Sequence, residues 1–261
     1  SGVTQMMKAL EKEVGFSLFI KGKKGAALTP EAQSLIPAVR ALLSADEVVR
    51  QEISALKGAP TGTITIGTYL SCSIHWIPEI IQKFQESHPN IVFKVIEGAE
   101  DDLPDWIQER RVDIGFLSHQ EGHHYQFLPV MDDELFAVLP KGHPLEEYDA
   151  IPMKKFSGAP FVTTEYAPGS DIYRILKEFQ LKPDIRFLSI NEFSVLSMVE
   201  HGLGITILPG LLLRGHSGNF VKRRLEPRSF RRLGLGYSSY DDLSPASRIF
   251  LEYAKSFLLD D

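Results

Sequence analysis

Side chains that could bind a small molecule follow the predicted strands of this sequence. The segment TYLSCS (68–73) supplies several hydroxyls and leads into a predicted helix start, where free backbone N–H groups favour a carboxylate or another anion. Ser118 follows the strand VDIGFL, and Thr164 ends PFVTT. Because ligands of open α/β sheets bind beyond the carboxyl ends of strands, we expect these positions to line one cleft. Each hydroxyl could equally cap a helix or close a turn.

Acidic residues crowd the loop after the second predicted strand of this region, namely Glu97, Glu100, Asp101 and Asp102. If these acids face the cleft, they would disfavour an anion and favour a cationic or zwitterionic ligand. The alternative is an exposed acidic helix start, which the helix dipole stabilises.

The motifs of the common enzyme classes are not apparent. There is no Ser-His-Asp arrangement, GxxxxGK(S/T) phosphate loop or GxGxxG after a strand, and His75 near Ser71 is too little for nucleophilic catalysis. Cys72 is the single cysteine, which excludes an internal disulfide, and a redox sensor at this position would lack a resolving partner in the chain. The histidines are scattered, and the adjacent pair His123 and His124 has poor spacing for zinc. We therefore expect no catalytic residue, no metal and no cofactor.

The composition is that of an ordinary globular protein, with 43% hydrophobic and 24% charged residues in a chain of 261. No run approaches the ~18 apolar residues of a membrane helix and no secretory pattern opens the chain, so we expect a cytoplasmic location and no membrane partner. Up to Gly58 there are eight Lys or Arg against six Asp or Glu, a net charge of +2, whereas the whole chain carries −6 and the remainder therefore −8. This asymmetry suits a nucleic-acid module attached to an acidic body.

Two local signals open the chain. Residues 1–15 carry apolar side chains at helical spacing and end at Gly15, which predicts an amphipathic helix. The following LFIKGKKGAALT predicts a short β-hairpin with a lysine-rich tip. Thr29 before Pro30 is typical of an N-cap with proline at the first helical position, so a second helix begins there.

The second helix has a coiled-coil pattern. Apolar residues alternate steps of four and three, with Asp46 as the polar exception, at Leu35, Val39, Leu42, Val49, Ile53 and Leu56. We expect this seam to pair with the same helix of a second copy, because a long helix between two globular parts has little surface of its own to bury against. The alternative is a helix that packs on its own domain.

From Thr61 onward, short strands alternate with amphipathic helices, which requires a parallel sheet. A β-α-β-α-β unit over 63–117 is followed by the strand ELFAVLP (134–140), and a second unit runs through 159–209. Two units predict two lobes with a ligand between them. After a basic, irregular stretch, the strand RRLGLGY and a helix that begins after Ser244 should return to the first lobe, because no other sheet still lacks an edge strand.

Taken in order, these segments resemble the LysR-type transcriptional regulators, and the resemblance covers essentially the whole chain. VTQMMKALEKEVGFSLF is similar to the family's recognition helix and the turn into its wing, and KGKKGAALTPEA is similar to the wing and the start of the linker helix. The landmarks of the family's sensor domain resemble TGTITIGTYL, WIPEIIQKFQESHPNIVF, RRVDIGF, LPKGHPL and VEHGLGITILP. The family's helices before the recognition helix are absent, so we expect a truncated or disordered amino terminus.

The resemblance implies an α/β fold in three parts: a truncated winged helix-turn-helix head (1–29), a linker helix for dimerisation (30–58), and a two-lobed effector domain like a type 2 periplasmic binding protein. We expect lobe I in 62–139 and 225–261, and lobe II in 140–224. The resemblance also implies a homodimer, commonly a homotetramer, that binds double-stranded promoter DNA and a small-molecule effector. A solute-binding protein shares the two-lobed architecture and is the alternative from another functional class.

The resemblance also assigns side chains to each partner. An α-helix fits the major groove, and the residues on the exposed polar face of the recognition helix are Ser1, Gly2, Thr4, Gln5 and Lys8. Gln5 is suited to a base edge, and Thr4 or Lys8 to a phosphate. The wing lysines, which could instead belong to a solvated turn, would neutralise phosphates and are Lys21, Lys23 and Lys24.

For the effector, the family's inducer-binding loop corresponds to Tyr69, Ser71, Cys72 and Ser73 in this sequence. Ser118 and Thr164, at the ends of other strands, complete the predicted effector site.

Overall fold

A computed structural model describes residues 2–22, 25–57, 61–164, 168–189 and 191–260. Within these ranges, no helix has both the length and the apolar character needed to cross a membrane.

The first described elements are a helix and a β-hairpin, as the sequence predicts. Helix α1 (Gly2–Val14) is followed by strands β1 (Phe19–Gly22) and β2 (Gly25–Leu28), which pair antiparallel. The Glu11 carboxylate accepts a hydrogen bond from the Leu18 backbone N–H at 2.7 Å, which ties the helix to the entry of the hairpin.

Helix α2 (Pro30–Leu56) begins at the predicted N-cap, because the Thr29 hydroxyl accepts a hydrogen bond from the Ala32 N–H at 3.1 Å. One face of the helix lies on the body of the chain. There the Gln51 side chain is buried, and its carbonyl oxygen accepts the Ala246 N–H at 3.1 Å. The opposite face leaves every residue of the predicted seam exposed, with relative exposures from 37% at Leu35 to 87% at Leu56.

The first lobe has the predicted parallel unit. Strand β3 (Gly62–Thr68) pairs parallel with both β4 (Ile91–Glu97) and β5 (Ile114–Ser118), and helices connect the three strands. The elements in chain order are β3 (Gly62–Thr68), α3 (Leu70–His75), α4 (Ile77–Ser87), β4 (Ile91–Glu97), α5 (Asp102–Gln108) and β5 (Ile114–Ser118).

The second lobe holds a smaller parallel pair, β8 (Pro160–Thr164) with β9 (Asp184–Ser189). A single bridge between Phe161 and Ile205 joins this pair to the residue before β10 (Thr206–Pro209). Short 3-10 helices at Pro144–Glu147 and Met153–Phe156 also lie in this part of the chain. The elements in chain order are β6 (Gln126–Pro140), β7 (Ala150–Pro152), β8 (Pro160–Thr164), α6 (Asp171–Glu178), β9 (Asp184–Ser189), α7 (Glu192–Glu200), β10 (Thr206–Pro209) and α8 (Gly210–Leu213).

The last elements are β11 (Phe220–Tyr237) and α9 (Pro245–Asp260), and they return to the first lobe as predicted. Strand β11 pairs antiparallel with β5, and Phe250 of α9 is fully buried in the first-lobe core. The expectation of an irregular basic stretch before RRLGLGY was wrong, since the strand already begins at Phe220. The physical reason is its pairing with β6, where Arg228 and Arg232 form ion pairs with Glu134 and Asp132.

Strands β6 and β11 join the two lobes, and each contributes to two separate cores. Met131 packs in the first-lobe core, whereas Leu135, only four residues later, belongs to the second-lobe core. On β11 the same change occurs between Leu225 and Leu233. The crossing point in β6 therefore lies several residues before the boundary at 139/140 that the sequence suggests, while the domain limits as a whole stay a prediction.

Candidate functional site

A cleft of about 320 Å³ lies where the carboxyl ends of β3, β4 and β8 approach each other. Both lobes contribute to its walls, which are formed by Tyr69, Leu70, Glu97, Gly98, Ala99, Glu100, Asp101, Thr164, Ser170, Asn191 and Glu192. The position agrees with the rule that ligands of open α/β sheets bind beyond the ends of the strands.

Tyr69 and Thr164 are the predicted effector-site residues that line this cleft. The Tyr69 phenol oxygen accepts a hydrogen bond from the backbone N–H of Ser118. Ser118, also a predicted effector-site residue, therefore contacts a residue of the cleft wall without lining the cleft itself. Burial is the main cause that raises the pKa of Tyr69 well above its usual value, which keeps the phenol neutral. The ring therefore offers the cleft an uncharged aromatic surface.

The structure corrects the prediction for the segment after β3. Helix α3 starts at Leu70, directly after the strand, so Ser71, Cys72 and Ser73 lie inside a helix rather than in a loop. Ser71 is 3% exposed and Cys72 is fully buried, because this face of the helix packs on the first-lobe core. Neither side chain lines the cleft. The Ser73 hydroxyl donates a hydrogen bond to the carboxylate of Glu97, and it thus helps to position a side chain that lines the cleft.

Cys72 is also unsuited to redox sensing. Burial raises the pKa of its thiol to about 12, so the reactive thiolate is absent at neutral pH.

A buried arginine on β11 organises the floor of the site. The Arg231 side chain is 3% exposed and forms an ion pair with Asp133 of β6 at 2.9 Å. It also donates a hydrogen bond to the Ser71 hydroxyl at 2.8 Å. Ser71 therefore serves to position Arg231 at the point where the two lobes join.

Asp171, the first residue of α6, connects the second lobe to the first. Its backbone N–H donates to the Glu100 carboxylate at 2.6 Å, and its own carboxylate accepts the Ser118 hydroxyl at 3.4 Å. The other Asp171 oxygen, Oδ2, is buried without a hydrogen bond, and its nearest cation is Arg231 at 4.0 Å. The lobes are thus closed on each other through acidic residues.

The carboxylates of the cleft are hard to ionise together. Burial, reinforced by the negative charge of Asp171, raises the pKa of Glu100 from 4.5 to about 8. Burial also raises the pKa of Glu192, which faces Glu100 from the other lobe. The Glu100 carboxyl is therefore largely protonated at neutral pH, and a cation bound beside it would favour its charged form.

The sequence indicated the acidic loop and Thr164, but Ser170, Asn191 and Glu192 of the second lobe were not predicted. Ser170 and Asn191 are N-caps of α6 and α7, and their position near the ends of β8 and β9 could have indicated the cleft. Arg231 carried no comparable signal, because a single arginine in a basic stretch resembles a surface residue until the pairing of β11 with β6 is known.

The predicted DNA-binding residues lie in the head, at the start of the chain and far in sequence from the cleft. Gly2, Thr4, Gln5 and Lys8 are exposed on α1. The backbone of Lys21 pairs with Ala26 in the hairpin. Ser1, Lys23 and Lys24 lie outside the described residues.

Comparison with known proteins identifies this architecture. The family model of the LysR substrate binding domain matches residues 57–258. The uncharacterized HTH-type transcriptional regulator YvbU of Bacillus subtilis (strain 168) is 28% identical over 259 residues, which cover 97% of this chain and 87% of that protein. Its alignment therefore includes the head and α2 as well as the two lobes.

Solved structures agree with this match. The effector binding domain of QuiR in complex with shikimate has 25% sequence identity and a TM-score of 0.68, covering 76% of this chain and 97% of that chain. A full-length OxyR variant from Pseudomonas aeruginosa has 18% identity and a TM-score of 0.74, covering 99% of this chain and 87% of that chain, and it shows the same fold. The chain therefore belongs to the LysR-type family of transcriptional regulators.

Proposed function

We propose that the protein is a DNA-binding regulator whose two-lobed domain binds a small molecule and passes this event to a dimeric DNA-binding head. The observation that carries the proposal is the combination, in one chain, of an interlobe cleft with a helix and hairpin that precede a linker helix. Curated relatives are transcriptional regulators, which is a role without catalysis, and we infer that this chain is not an enzyme. Work at chromosomal DNA would place it in the cytoplasm.

The solute-binding alternative accounts for the lobes but not for the head. A solute-binding protein has no need of the head and linker helix in residues 2–57. The alignment with the HTH-type transcriptional regulator YvbU covers 97% of this chain and therefore includes this part. The exposed 13-residue helix α1 and the antiparallel pair that follows it are the elements, in the order, that a recognition helix and its wing require.

The exposed apolar seam of α2 supports dimerisation through this helix. Leu42 and Val49 are 71% and 57% exposed, and Ile53 is 48% exposed, all on one seam at coiled-coil spacing. The helix packs on its own body through the opposite face, where Arg40 contacts Glu109. The seam is therefore free for a second copy. A tetramer would need further contacts between lobes, for which exposed Val92 on β4 and Leu188 on β9 are candidates.

The DNA-binding proposal is tested by fluorescence anisotropy of the intact protein on DNA fragments from upstream of its own gene. We expect preference for one fragment and an affinity that falls steeply with salt. Lys8→Ala should weaken binding to all fragments and reduce the salt slope by about one, as loss of one phosphate contact requires. Gln5→Ala should instead reduce the preference for the specific fragment. Equal affinity for every fragment would contradict the proposal.

A further inference from the structure

The charge of the cleft indicates what kind of molecule it accepts. Of its described lining residues, Glu97, Glu100, Asp101 and Glu192 are acidic, and none is Lys, Arg or His. A free carboxylate ligand would meet repulsion from these side chains in a partly enclosed space, where charges interact more strongly than in water.

A recess of about 30 Å³ at the inner end of the cleft extends the acidic surface. Glu100, Glu192 and Asp171 all line it, and the Asp171 side chain is nine-tenths buried. Its Oδ2 atom takes no hydrogen bond. Buried polar atoms almost always have a partner, so an unsatisfied carboxylate oxygen at the wall of a cavity is evidence for a missing donor.

Arg231, the cation in this recess, already forms an ion pair within the protein. It faces Asp133 at 2.9 Å and lies 4.0 Å from Asp171. Arg174 approaches Asp171 from the outer side at 3.4 Å and also contacts Glu178. Asp133 and Asp171 therefore take up the two arginines, and among the described residues Glu97, Glu100 and Glu192 have no ion-pair partner.

The missing partner of these carboxyl groups is either a metal ion or an organic cation. In the described residues, no three His, Cys, Asp or Glu side chains are grouped as metal ligands would be. The cleft has space for a carbon skeleton, and its walls include the Tyr69 ring, Leu70 and Ala99. Aromatic faces and carboxylates together are typical of sites for ammonium groups.

We propose that the effector of this protein is a small organic cation, whose ammonium or guanidinium group lies between Glu100 and Glu192 and whose carbon chain lies along Tyr69 and Leu70. The proposal deepens the proposed function, since it assigns a ligand class to the same cleft. The cation supplies N–H donors to the acidic recess and bridges the two lobes, because Glu100 belongs to the first and Glu192 to the second. Its binding stabilises the closed arrangement.

The test is a thermal unfolding series of the intact protein with matched probes. The cations are 1,4-diaminobutane, 1,5-diaminopentane, agmatine and spermidine; the references are 1,4-butanediol and succinate at the same ionic strength. A cation present at 100 times its Kd should raise the Tm by about 5 °C or more, whereas the two references leave it unchanged.

Two variants separate binding in the cleft from general attraction to an acidic protein. Glu192→Gln keeps the shape of the side chain and removes one charge, and it should weaken the best cation about tenfold or more by calorimetry. Glu97→Gln is a second variant of the same kind. Glu86→Gln, on the exposed surface of α4 and away from the cleft, should leave the affinity unchanged.

The inference is overturned if none of the cations raises the Tm, if succinate stabilises the protein instead, or if Glu192→Gln and Glu97→Gln bind the cation as tightly as the parent. DNA binding is measured on the same preparation. A protein that binds its promoter fragment but no cation refutes the ligand class alone, and a protein that binds a cation but no DNA refutes the regulatory role alone.

Discussion

Replacement of Glu100 by glutamine should remove a pH-dependent loss of stability. In the folded protein the carboxyl of Glu100 is surrounded by Asp171 and Glu192 on the acidic side and by Arg231 on the basic side. Its folded pKa of about 8 lies above the ordinary value of 4.5. A raised pKa in the folded state means that its contribution to stability is complete below pH 4.5 and is lost as the pH rises through 8.

The size of this loss follows from the same values. One pKa unit corresponds to about 1.4 kcal/mol, so the ionised carboxyl costs at most on the order of 5 kcal/mol near pH 8.5. This is an upper limit, because opening of the lobes lets water reach the side chain. Glutamine is neutral at every pH, and its carbonyl oxygen can still accept the Asp171 N–H that Glu100 accepts at 2.6 Å.

The assay is differential scanning calorimetry of the parent and Glu100→Gln at pH 5.5 and pH 8.5 without ligand. We expect a small difference in Tm at the lower pH and a Tm higher by up to about 10 °C for the variant at the higher pH. Glu86→Gln, an exposed change, should follow the parent at both values. If Glu100→Gln and the parent show the same pH dependence, the Glu100 carboxyl does not lie in the buried, acidic surroundings described above.

Three further outcomes test other parts of the structure. Leu42→Glu places a charge in the exposed seam of α2 and should convert the proposed dimer into a monomer in analytical ultracentrifugation; a dimer that persists would place the interface elsewhere. Arg231→Met leaves Asp133 buried without its ion pair and should lower the free energy of unfolding by about 3–5 kcal/mol in urea titrations, with Asp133→Asn restoring part of the loss in the double variant. An additive double variant would show that the two side chains are not coupled. Cys72 should react slowly with a thiol reagent at pH 7 and rapidly after unfolding, and fast labelling of the native protein would contradict its burial.

Periodicity in the sequence predicted most of the elements, because each helix and strand buries one regular face. It failed in the first half of β11, which pairs with the end of β6, and in the first half of β6, which pairs with the end of β11. Arg228 and Glu134 form an ion pair there, and alternating charges carry no apolar signal.

The cleft was predictable to the extent that it depends on strand ends. Tyr69 and Thr164 were found in this way. Ser71 and Cys72 were misplaced because helix α3 starts immediately after Tyr69, and a shift of one or two residues along a helix turns a side chain from the cleft to the core. Arg231 could not be found, since its role depends on the register between β11 and β6, which pairs Arg231 with Asp133.

The central claim is that occupancy of the cleft controls DNA binding, and the direct measurement is the Kd for the promoter fragment with and without a saturating cation. Coupling between two sites typically changes affinity by about 5- to 150-fold. We expect a change in this range for the parent protein and none for Glu192→Gln at the same cation concentration. An identical Kd for the parent protein with and without the bound cation would contradict the account.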